Sequence, residues 1–220
     1  MKHRTAFVGL CVLLLTGCVN YLSSYDFTKV YDAARQIDTK YGTLFHNEQL
    51  AITMVSADNI DPMLADMAAL QKKINNSRQT DDRKIIEQFL EARMNMLEAE
   101  RSFEIAAQIG LPGLATDGYK CSEMQSIAKS RIYLRDSLGQ AEYALQIMDL
   151  VLQEPVPQQL IGVNKERPKF YDSPFRDISA ELRAQKEALL NCLKQAGMSE
   201  ADLNKRYGNP LMDNQTNTAK

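Results

Sequence analysis

The strongest constraint on the fold is the run Ile85, Phe89, Ala92, Met96, Ala99, Phe103 and Ala106, whose apolar side chains recur alternately every four and three residues. That spacing puts them on one face of a long helix, and a seam of the heptad type needs a second long helix to pack against. Thr80 is placed to cap the helix, and Asp81 and Asp82 suit the positive end of its dipole. Gly110 and Pro112 stop it. A matching seam follows: Met124, Ile127, Arg131, Leu134, Leu138, Ala141, Leu145, Met148 and Leu152. Ser122 with Gln125 reads as its capping box, and Pro155 and Pro157 end it.

Shorter helical stripes surround this pair. Phe27, Val30, Tyr31, Ala34, Ile37, Tyr41, Leu44 and Phe45 form one. Asp61-Pro62 reads as a restart, with Met63, Leu64, Met67, Leu70 and Ile74 following on one face. From Pro174, a fifth helix carries Phe175, Ile178, Leu182, Gln185, Leu189, Cys192 and Ala196 and stops at Gly197. Ser199 with Asp202 opens a last short helix, which Gly208-Asn209-Pro210 closes. No alternating strand pattern occurs. The prediction is all-α: an antiparallel bundle of about five helices, two of them long, plus a short C-terminal helix. The bundle covers 26–208, and the polar tail 209–220 reads as disordered.

The start of the chain has a different character. Lys2, His3 and Arg4 precede an apolar run from Ala6 to Leu15, which is too short to span a bilayer core of roughly 30 Å. The layout is that of a secretory signal. Its end, Leu15-Thr16-Gly17-Cys18, resembles the lipobox of bacterial lipoproteins. The resemblance implies that 1–17 is removed, that Cys18 is acylated and becomes the first mature residue, and that 18–25 is a lipidated tether. One acyl chain anchors only marginally, whereas the two or three usual in that family hold durably. Val19 stands where an Asp would retain an enteric lipoprotein in the inner membrane. The implied location is therefore the outer membrane, facing the periplasm. About seven residues separate Cys18 from the first helix and reach roughly 25 Å, so the domain sits close to its membrane.

Charge and cysteine usage narrow the partners. Without Lys2 and Arg4 the chain holds 24 basic and 28 acidic side chains, which gives no reason to expect nucleic acid. Cys11 leaves with the signal and Cys18 takes lipid. Cys121 and Cys192 remain and are expected to form a disulfide in an oxidising compartment. Cys121 precedes the fourth helix and Cys192 lies near the end of the fifth, so antiparallel packing brings them together.

Catalytic constellations are sparse. His46 is the only histidine after the signal, too few for a histidine-based zinc site. Glu87 with Glu91, and Glu100 with Glu104, lie four apart on helix faces, a spacing that helix-borne glycoside chemistry could use. The Glu-Ser signature of helical lytic transglycosylases is absent, since Arg101 follows Glu100. A solvated face with ion pairs to Arg93 and Arg101 explains these acids more simply. Met96, Met124 and Met148 sit in seams as core filler rather than as copper ligands. Arg131 either snorkels, pairs with an acid across the bundle or reads an anionic ligand. The long connection after Pro155 combines Lys165, Arg167, Lys169, Phe170 and Tyr171, a mixture suited to head groups or a partner surface.

The function expected is that of a lipid-anchored, non-enzymatic binding, adaptor or assembly factor of the cell envelope. It would use no cofactor or metal, with the membrane and an envelope protein as its partners. The alternatives are a cell-wall glycan hydrolase using a helix-borne Glu and a carrier of a small apolar ligand.

Overall fold

The computed structural model describes residues 25–42, 57–78, 80–109, 118–161 and 178–212. Seven α-helices occur among them: α1 (Phe27–Lys40), α2 (Ala57–Asn75), α3 (Arg83–Ile109), α4 (Met124–Val151), α5 (Pro155–Ile161), α6 (Ile178–Ala196) and α7 (Glu200–Tyr207). The all-α bundle is as expected, with the two long helices α3 and α4 forming the most extensive helix pair.

Their hydrogen bonds give the directions. Tyr143 donates to Glu91 Oε1 at 2.8 Å, Ser137 to the Ala99 carbonyl at 2.7 Å and Ser102 to Gln140 Oε1 at 3.1 Å. From Glu91–Tyr143 to Ala99–Ser137 the numbers rise on α3 as they fall on α4, so the two helices are antiparallel. Ala92, Ala99 and Ala106 on α3 and Ser130, Ser137, Ala141 and Ala144 on α4 are all buried. Small side chains at these positions let the backbones approach closely enough for a serine to reach the opposite helix. α1 runs parallel to α3. Its first amide, Phe27 N–H, donates to Asp82 Oδ2 at 3.2 Å, and Thr80 Oγ1 donates to the Tyr25 carbonyl at 3.0 Å. α2 runs antiparallel to both, with Asp61 beside Arg101 and Asn75 beside Arg83.

Two hydrophobic centres result. The larger is built by α1, α2, α3, α4 from Tyr133 onward, α5 and the start of α6. Phe27 meets Phe89 edge-on with centroids 5.3 Å apart; each such fully buried side chain contributes roughly 1.5–3 kcal/mol. The smaller centre joins Ile127 and Ala128 of α4 to Leu189 and Leu193 of α6, Leu203 of α7 and Leu211.

Several local expectations need correction. α3 has two buried stripes: Ile86, Leu90, Arg93, Leu97 and Glu100 are buried as well as most of the seam. Helices pack on both of its sides. Thr80 does not cap α3 with its side chain but ties down Tyr25, and Asp82 serves the amide of α1. α2 begins at Ala57, four residues before Asp61-Pro62, and carries Pro62 inside its second turn. There the ring removes a single helical hydrogen bond. The Ser122–Gln125 capping box is not the start of α4; a 3₁₀ turn over Cys121–Glu123 leads in, with no side-chain cap. Pro155 does not open an irregular stretch: it starts α5, since proline suits the first helical turn. The packed body extends past 208, because Pro210 and Leu211 are buried. At α7 the Ser199–Asp202 capping box forms in both directions, and Gly208 takes the left-handed conformation that closes the helix.

Candidate functional site

Cys121 and Cys192 are brought together as a disulfide, with Cα atoms 5.2 Å apart across 71 residues of chain. Cys192 is buried, at 2 % exposure. The residues read as lipidated (Cys18) and as partner or head-group contacts (Lys165, Arg167, Lys169, Phe170 and Tyr171) lie outside the described residues, as does His46.

Arg131 is buried on α4, and its guanidinium is held by main-chain carbonyls. Nε donates to Pro210 O at 2.6 Å and Nη1 donates to Leu182 O. It thus joins α4, α6 and the segment after α7. Arg135 adds a bond to the Asn209 carbonyl at 3.3 Å. Beside Arg131 lies a second polar group. Tyr119 OH donates to Glu181 Oε1, and Gln185 Nε2 reaches the same oxygen at 3.2 Å and Ser130 Oγ at 3.3 Å. Burial raises the Glu181 carboxyl above the ordinary glutamate value, and the Gln185 hydrogen bond opposes this. The Arg131 clamp and the Glu181 cluster make one polar seam between α4 and α6. Sequence periodicity marked Arg131 and Gln185 as polar members of apolar seams, which was the available signal. Glu181 lies one position off that stripe and was missed.

The acids considered for glycoside chemistry are spread along α3. Glu87 pairs with Arg83 at 2.8 Å, Glu91 accepts from Tyr143, and Glu104 is half-buried. Glu100 is buried at 6 % exposure. Arg93, assigned to the same solvated face, is instead inside the core, bonded to Asp38 of α1.

Between α1 and α2 runs an open groove of about 330 Å³. Ala33, Ile37, Ala69 and Leu70 supply its apolar lining, and Gln36, Lys40, Asp66 and Lys73 its polar one. Lys40 Nζ bonds Asp66 Oδ2 at 2.6 Å, and Tyr41 OH bonds the same oxygen at 2.9 Å. These two donors hold the Asp66 carboxyl below the usual carboxylate range. The small residues Ala33 and Ala69 keep the two helices from closing the groove over with side chains. Among the described residues no cluster of histidine, cysteine and acidic groups suits a metal ion, and no helix is long and apolar enough to cross a membrane.

Compared with protein-family models, with curated proteins and with solved structures, the chain matches none.

Proposed function

We propose that this chain is a lipid-anchored protein of the bacterial envelope that works by binding a partner protein. The observation that carries the binding role is the α1–α2 groove: lined in similar share by apolar side chains and by polar ones with charges of both signs, and open to solvent. An amphipathic partner segment finds apolar anchors there and polar ends for its own charges. The anchoring half of the proposal is supported by the lipobox-like Leu15-Thr16-Gly17-Cys18. The Cys121–Cys192 pair is in keeping with an oxidising compartment.

The hydrolase reading keeps one specific point in its favour, a buried carboxyl at Glu181 raised as a general acid requires. That side chain is engaged by Tyr119 and Gln185 within the bundle, which favours a structural role.

The test has two arms. Cys18→Ser is expected to leave unprocessed or soluble protein; processing at the same bond with retention in the membrane fraction would overturn the anchor. A photo-crosslinking residue placed at Ala69 is expected to capture an envelope protein, and the same residue at the exposed Lys129 of α4 is not. Equal capture at both positions, or none at Ala69, would remove the groove as the binding surface.

A further inference from the structure

The anchor, the direction of α1 and two exposed apolar side chains all bear on one end of the bundle. Five large hydrophobic side chains are exposed among the described residues, and two of them, Leu150 and Val156 at 50 % and 48 %, flank the turn from α4 to α5. Their position follows from the helix registry. Tyr143 is level with Glu91. Seven residues further along α4, Leu150 lies about 10 Å on, while nine residues back along α3 Asp82 lies about 13 Å away in the same direction. Asp82 is the residue that accepts the first amide of α1, Phe27 N–H. Leu150 is therefore at the end of the bundle where α1 begins, and α5, which carries Val156, packs against α1. Only seven residues lie between Cys18 and the Asp26 cap, a reach of roughly 25 Å.

We infer that this end of the bundle is a bilayer-contacting face, with Leu150 and Val156 entering the lipid interface beside the acylated Cys18. The inference rests on the anchor proposed above. A short tether leaves the domain little freedom to turn this end away. Apolar side chains held at a membrane surface partition into the boundary between head groups and acyl chains, about 5–10 Å deep.

The chain has no tryptophan, which makes an introduced one a unique reporter. The acylated mature protein is reconstituted in phosphatidylcholine–phosphatidylethanolamine vesicles, with and without brominated acyl chains, as Leu150→Trp, Val156→Trp or Leu190→Trp. Leu190 is exposed two residues before Cys192, whose bridge to Cys121 places it at the opposite end of α4. Emission from Leu150→Trp and Val156→Trp is expected to be blue-shifted and quenched about twofold or more by bromolipid, while Leu190→Trp is not quenched. Quenching at one position alone supports the face and fixes its tilt. Protein that floats with the vesicles but is quenched at neither position, or equally at Leu190→Trp, overturns it. A blue shift without bromolipid quenching means that protein, a second copy or a partner, covers the face, and also overturns it. Failure to float removes the anchor itself, and this inference with it.

Discussion

Arg93 of α3 and Asp38 of α1 lie 55 residues apart in sequence and meet inside the larger hydrophobic core, at 3 % and 2 % exposure. The guanidinium carbon stands 5.9 Å from the centre of the Phe89 ring. Burial lowers the hold of Arg93 on its proton and raises the Asp38 carboxyl, while the attraction between them opposes both shifts. The pair sets α1 against α3 in one register, because shifting either helix by a turn would strand both charges.

Removing one partner should therefore cost more than removing both. Arg93→Met alone is expected to destabilise by about 3–5 kcal/mol, since it leaves a buried carboxyl without its cation. Asp38→Leu with Arg93→Met should recover most of that loss, as apolar replacements of buried ion pairs often do. Urea unfolding of the single and double variants measures both. A double variant no more stable than Arg93→Met alone would show that the pair itself supplies net stability.

Where sequence was informative, the reason is local. The seams of α3 and α4 and the Ser199–Asp202 box follow from spacing and capping within one helix, so the bundle was legible. Arg93 was not, because its environment is set by α1, far along the chain. Periodicity finds a single stripe easily; α3 buries a second one, whose Arg93 and Glu100 look like surface charges when counted in isolation. Thr80 and Asp82 were recognised as capping types but serve the neighbouring helix, since the N-termini of α1 and α3 lie side by side. The groove was equally invisible: Ala33 and Ala69 each sit on an ordinary helix face, and only the α1–α2 packing makes them a floor.

The disulfide closes a loop of 71 residues across α4 and α6. In the chain-entropy model such a loop contributes about 4 kcal/mol. Cys121→Ala with Cys192→Ala should lower the urea midpoint accordingly, with the smaller hydrophobic centre loosened first. Mass spectrometry of unreduced protein taken from cells gives the direct check: two alkylatable thiols would refute the bridge in the cell.

Glu181 sets a pH dependence. Its carboxyl is raised in the folded state, chiefly by burial. The folded chain therefore binds this proton more tightly than the unfolded one. The stability it contributes is present below the ordinary glutamate value and is lost as pH rises through the raised value. Glu181→Gln cannot ionise and should flatten that part of the profile. Urea midpoints followed from about pH 4 to about pH 8 test the slope. The same variant bears on catalysis: a cellular phenotype lost with helicity and stability intact would shift the balance to the hydrolase.

Arg131 is the tie between three segments, and its loss should be felt most at the C-terminal one. The guanidinium spans two carbonyls, Leu182 O within α6 and Pro210 O, which lies beyond the last helix and has no helix ladder to satisfy it. Arg131→Met keeps the apolar stem but leaves a buried acceptor at Pro210, and hydrogen bonds from a charged donor are worth about 1.5–3 kcal/mol. Arg131→Lys restores the charge without the planar fork, so it reaches one carbonyl and not both, and should rescue only part of the loss. The smaller centre depends on the same segment, since Leu211 packs into it beside Leu203. Amide hydrogen exchange is expected to speed up at 208–212 and along α7 in Arg131→Met, with α1 and α2 unchanged. Uniform acceleration across the whole bundle would mean that Arg131 supports global stability and does not specifically hold the C-terminal segment on α4.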